Sequence, residues 1–72
     1  MSDYQLSNEE KSSVINTHLR NLSYSKYNTE LSIIEEESLV SPSQETLGQL
    51  NAQLAGIDTK ISALLVELES LD

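Results

Sequence analysis

Few residues in this chain have the chemistry to act on a substrate. There is one histidine, His18, and there are scattered serines. A carboxylate run, Glu35-Glu36-Glu37, has Glu45 a short way downstream, and two tyrosines, Tyr24 and Tyr27, stand three positions apart. A histidine activates a serine nucleophile when a third group orients the ring. No spacing here assembles such a set. Clustered carboxylates hold Ca²⁺ or Mg²⁺ when a loop wraps them around the ion. The acidic run fits no EF-hand spacing and has no tight-turn glycine. The chain lacks cysteine, which removes thiol chemistry, disulfides and conventional structural zinc. Gly48 and Gly56 are isolated and form no phosphate-cradling loop. The expectation is a non-enzymatic chain with no catalytic residue, no metal and no cofactor. His18 reads as a core-edge or exposed residue, and the acidic run as a solvated end.

Twelve acidic residues face four basic ones, Lys11, Arg20, Lys26 and Lys60, for a net charge of -8. That charge repels nucleic acid and anionic lipid, so neither is an expected partner. It leaves a basic protein surface as an eligible one. The longest apolar run is Ala63-Leu64-Leu65-Val66, far short of a membrane span. Met1-Ser2-Asp3-Tyr4 lacks the basic region and apolar run of a signal peptide. A soluble, cytoplasmic protein is expected. At 72 residues the chain is one domain at most, stabilised by helix packing or by oligomerisation.

Two helix starts are visible. Ser7-Asn8-Glu9-Glu10 is a capping box, in which the Ser7 hydroxyl and the Glu10 carboxylate each accept from the other residue's amide. Ser41-Pro42-Ser43-Gln44 repeats the chemistry, with Ser41 at the N-cap and Pro42 at the first helical position. Proline disfavours helical geometry at Ser41, so one helix ends before it and another follows. The boundaries predicted are helix one over about 8–39, a turn at about 40–41 and helix two over about 42–71. So short a connection makes the helices antiparallel neighbours. The competing reading, one long helix kinked at Pro42, leaves the Ser41 cap unused.

Helix two carries the clearest pattern. Leu47, Leu50, Leu54, Ile57, Ile61, Leu64, Leu68 and Leu71 recur in steps that alternate three and four. That is an uninterrupted heptad seam, with Leu47, Leu54, Ile61 and Leu68 at a and the others at d. No polar residue interrupts it, so nothing on this helix dictates register or partner number. Its far side is small: Gly48, Ala52, Ala55, Gly56, Thr59, Ser62 and Ala63. Such a face permits close approach of another helix.

Helix one reads as less regular. Ile15, Leu19, Leu22 and Ile33 form one stripe, which Val40 would extend. Tyr27, Leu31 and Ile34, with Tyr24 at the edge, form a second stripe roughly 120° away at 100° per residue. Two stripes need more partner surface than one hairpin mate offers. Tyr24, Tyr27, Leu31 and Ile34 are therefore the candidate partner face.

The fold expected is all-α: a coiled-coil-like, two-helix antiparallel hairpin that assembles into a helical bundle. The function expected is structural or adaptor work through helix–helix packing. The partner is a second copy, as a dimer or higher form, or another protein. An acidic inhibitor or nucleic-acid mimic docking on a basic surface is the alternative, and it rests on net charge. A short acidic chain with a heptad hairpin and no catalytic motif resembles small accessory or virion proteins of bacteriophages, which implies a place in a virion or its assembly.

Overall fold

The computed structural model describes residues 5–72. Met1–Tyr4, the segment inspected for signal-peptide features, lies outside the described residues. The chain forms two helices, α1 (Asn8–Glu37) and α2 (Gln44–Ser70), packed as an antiparallel hairpin.

Helix α1 starts where its capping chemistry is strongest. The Glu10 amide donates to Ser7 Oγ at 3.1 Å, and the Ser7 amide donates to Glu10 Oε1 at 2.9 Å. Helix α1 stops at Glu37, earlier than the sequence pattern indicated. The Ser38 hydroxyl turns back to donate to the Glu35 carbonyl at 2.6 Å. No basic residue sits in the last turn to offset Glu35, Glu36 and Glu37 at the negative end of the dipole. Val40 consequently leaves the helix and is fully exposed, so it does not extend the first stripe.

The cap of α2 is Ser43, not Ser41. Ser43 Oγ accepts from the Thr46 amide at 3.2 Å. Geometry explains the shift. Packed helix axes lie 8–10 Å apart, and a chain covers at most about 3.3–3.6 Å per residue, so a two-residue turn is strained. The connection spans residues 38–43. It is closed by Glu36, whose Oε2 accepts the Ser43 amide at 2.8 Å. Pro42 precedes the cap and holds Ser41 out of the helical region.

The seam of α2 faces α1. Leu47, Leu50, Leu54, Ile57, Ile61, Leu64, Leu68 and Leu71 are all half-buried, while their neighbours on α2 from Gly48 onward are exposed. The matching positions on α1 are Ser12, Ile15, Leu19, Leu22, Lys26, Thr29, Ile33 and Glu36. They too step by three and four. Helix one is thus a full heptad helix whose seam is half polar. Ser12, Leu19, Lys26 and Ile33 take its a sites, and Ile15, Leu22, Thr29 and Glu36 its d sites.

Both ends of the hairpin are tied. Asn8 Nδ2 donates to the Leu71 carbonyl at 2.9 Å at the open end, and the Glu36–Ser43 bond closes the other. Between them the molecule is a rod of 62 × 18 × 15 Å with a radius of gyration of 17.0 Å. A compact domain of this length would have about 11 Å. Among the described residues no apolar side chain is buried; Thr29, at 8% exposure, is the sole buried residue.

Candidate protein-interaction surface

Four surfaces surround the seam, and heptad positions define them. In an antiparallel pair the e sites of the two helices share one flank and the g sites share the other. The b and f sites face outward.

The outward face of α1 holds Tyr24, Tyr27, Leu31 and Ile34, at f, b, f and b. Tyr24 and Tyr27 are 62% exposed, Ile34 is 59% and Leu31 is 36% exposed. The structure therefore places the candidate partner face along one ridge of α1 that α2 leaves exposed, with Leu31 the least exposed of the four. Arg20 continues the ridge by one turn. With Ser23, Tyr24 and Tyr27 it lines a shallow, largely apolar shelf.

The outward face of α2 is the small-residue face. A Cβ added at Gly48 or Gly56 would meet nothing within 4 Å. The hairpin itself does not need these glycines, because α1 packs elsewhere.

The e flank is acidic. Glu9, Glu30 and Glu37 line it from α1 and Asp58 from α2. Lys26 leans across from its a site and bonds Asp58 Oδ1 at 2.9 Å. That contact holds the Lys26 ammonium above its ordinary pKa, through the hydrogen bond to Asp58 and then through its charge. Both side chains remain substantially solvated, so the pair contributes little stability. Its value is directional. A charged residue at one a site disfavours other registers. Thr29, one turn away, satisfies its hydroxyl internally by donating to the Ser25 carbonyl at 2.9 Å.

The g flank differs. Lys11, His18, Ser25 and Ser32 border it from α1, and Thr46, Gln53, Lys60 and Glu67 from α2. Two open grooves run along it, lined in turn by Leu22, Ser25, Gly56 and Ile57 and by His18, Lys60, Ala63 and Leu64. Their floor is the side of the apolar seam. His18 is exposed at the rim of the second groove.

The carboxylates of the turn end do not converge. Among the described residues no three His, Asp or Glu side chains meet as a metal site would require. Glu36 is engaged with Ser43, while Glu35, Glu37 and Glu45 are exposed. At the opposite end the Glu10 carboxyl is held below its ordinary value, first by the Ser7 amide and then by the Ser7 hydroxyl. No helix is long and apolar enough to cross a membrane among the described residues.

The polar half of the α1 seam escaped sequence reading, although a signal for it existed. Continuing Ile15, Leu19 and Leu22 by four and then three reaches Lys26 and Thr29, and another four reaches Ile33. Counting only large apolar residues hid those two sites.

No known protein family, curated protein or solved structure matches this chain.

Proposed function

We propose that this chain is a non-enzymatic structural or adaptor part that works by helix–helix packing in a homo-oligomer or larger assembly. One observation carries the reading: the hairpin buries no apolar side chain among its described residues. A chain of this size needs a well-filled core or an outside staple, and half-buried leucines supply neither in full. Association supplies the missing burial. Each large apolar side chain moved from half to full burial adds about 1 kcal/mol, on a scale of about 1.5–3 kcal/mol for complete burial. The virion setting implied by the bacteriophage resemblance is one place for such a part.

The test is sedimentation equilibrium over a wide concentration range, with helicity followed by circular dichroism. The wild type should associate. The double variant Ile57→Asp, Ile61→Asp places two charges in the centre of the seam and should both dissociate and largely unfold, because buried unpaired charge is costly. A wild type that stays a folded monomer at high micromolar concentration overturns self-association and leaves docking on a different protein.

One observation favours the acidic-docking alternative. No basic residue stands between Lys26 and Lys60, so the turn half carries Glu30, Glu35, Glu36, Glu37 and Glu45 without a nearby base except at Lys26. Salt separates the two readings. A complex held by those carboxylates weakens steeply with ionic strength, whereas apolar packing does not.

A further inference from the structure

We propose that the Tyr24–Ile34 ridge of α1 docks on the same ridge of a second copy of this chain, with the two α1 helices running in opposite directions. This rests on the self-association reading and adds the face, the direction and the register.

The ridge is itself a heptad seam. From Thr17 it steps by three and four through Arg20, Tyr24, Tyr27 and Leu31 to Ile34, on the side of α1 away from α2. Its shelf is walled by Arg20, Ser23, Tyr24 and Tyr27, which stand at i, i+3, i+4 and i+7. Four residues at that spacing form the hole that one side chain of a facing helix fills in a coiled coil. The shelf toward the open end includes the same spacing in Ser13, Asn16, Thr17 and Arg20. Knobs and holes therefore share one exposed face, and the hairpin's own α2 fills neither hole.

Charge identifies the occupant as a second copy. Lys26 is paired with Asp58, but among the described residues Arg20 has no carboxylate within ion-pair distance, although it stands in the ridge. Glu30 flanks the same ridge ten residues on. Setting Tyr24 of each copy against Tyr27 of the other places Arg20 opposite the copy's Leu31. Arg20 then enters the hole formed by the copy's Tyr27, Glu30, Leu31 and Ile34. Its stem covers Leu31, and its guanidinium reaches Glu30 and the face of Tyr27, twice per dimer. Ile34 fills the copy's hole of Ser13, Asn16, Thr17 and Arg20.

Like charges stay apart in this arrangement. Glu30 comes level with Ser23 of the copy, about 13 Å along the axis from the copy's Glu30, and Glu37 comes level with Asn16. The nearest acids, Glu10 and the copy's Glu37, are a full turn out of level. Lys26 is turned to Asp58, and Lys11, His18 and Lys60 stay on the g flank outside the contact. Other arrangements fare worse. A one-heptad slide toward the turn sets Glu30 beside its own copy, and a slide the other way sets Ile34 against Glu10. Parallel pairing stacks Arg20 on Arg20. Residues 14–37 overlap over about 36 Å as one helix pair, which falls in the small class of interface below about 1,200 Å², so a weak dimer is expected.

The test is sedimentation equilibrium of charge and ridge variants, each first checked for hairpin helicity by circular dichroism. Tyr24→Ser with Tyr27→Ser should abolish the dimer and leave the hairpin folded, because both side chains are exposed. Arg20→Glu alone and Glu30→Arg alone should each weaken self-association on the order of tenfold, since each sets like charges together twice. Mixed one to one, these two single variants should form a heterodimer at about wild-type affinity, because each then supplies the charge that the other lacks. Lys11→Glu, on the g flank, should change nothing. If the wild type sediments as a monomer, self-association itself falls, and this proposal with it. If the wild type dimerises and the double tyrosine variant dimerises equally well, the ridge is wrong and self-association stands. If the tyrosine variant is monomeric but the mixture binds no better than its components, the direction and register are overturned.

Discussion

Replacing Gly48 and Gly56 with alanine should stabilise this protein. Both lie inside α2, both are exposed, and an added Cβ at either meets only open space. Nothing in the hairpin therefore opposes the substitution. In a helix interior, alanine is favoured over glycine by about 0.8–1.0 kcal/mol, mainly because glycine loses more backbone entropy on ordering. The sites are eight residues apart and share no partner, so their effects should add to about 1.5–2 kcal/mol. For a chain of this size 1 kcal/mol shifts Tm by roughly 4–8 °C, which predicts a rise of about 6–16 °C for the double variant. The assay is thermal and urea unfolding by circular dichroism at several protein concentrations, since an associating protein melts higher when concentrated. A fall in Tm that grows with concentration would refute the premise that this face is free, because only a helix packed closely against the glycines would object to a methyl group. The single variants refine the result. Gly56 borders the g-flank groove, whereas Gly48 sits on the far side of α2, so a loss confined to Gly56→Ala would place the contact beside the groove.

Removing the cap of α2 with Ser43→Ala should cost about 0.5–2 kcal/mol, while Ser41→Ala should leave chemical denaturation unchanged; the reverse order would show that the helix starts at Pro42. Glu10 gives a pH signature. Its carboxyl is held below the ordinary 4.5, so its contribution is complete above that pH and is lost as pH falls through the lowered value. The Tm gap between wild type and Glu10→Ala should therefore close on acidification, and a gap that stays flat down to strongly acidic pH contradicts the capping box. Lys26→Leu should raise Tm by extending the apolar part of the seam and should also admit alternative registers. Amide NMR spectra that remain singly resolved, with no added or broadened peaks, would count against a register role.

The all-α hairpin was readable because two strong local signals agree: capping chemistry at the start of α1 and an apolar period of 3.5 along α2. The turn was readable only in outline. Ser41 and Ser43 have the same capping group, and sequence offers no way to rank them until the distance between helix axes is known. That distance, together with the Glu36 carboxylate that accepts the Ser43 amide, selects the later serine. Val40 failed for a related reason, since its periodic position counts only while the helix lasts. The ridge of Tyr24, Tyr27, Leu31 and Ile34 could be grouped on one face from angles alone. Which stripe meets α2 could not, because a residue's place on its own helix does not say where the neighbour stands. Lys26 and Thr29 were missed because the period was sought in hydrophobicity, whereas the geometry keeps it regardless of residue type.

The division of labour between the helices follows from that seam. Eight apolar residues in strict alternation on α2 would pair with almost any other apolar heptad, in either direction and at several registers. Burial alone cannot choose among these arrangements, since each covers a similar area. The choice comes from α1, where charge and hydroxyl at Lys26 and Thr29 forgo burial at two central sites. With Lys26 set toward Asp58, a slip by one heptad would leave the ammonium against apolar α2 side chains and the carboxylate without its partner. The end ties Asn8–Leu71 and Glu36–Ser43 would break in the same slip. What the hairpin gives up in core burial it recovers as a single register, which the proposed assembling role would require. Only then do the ridge on α1 and the g-flank groove present the same side chains, at the same height, on every copy.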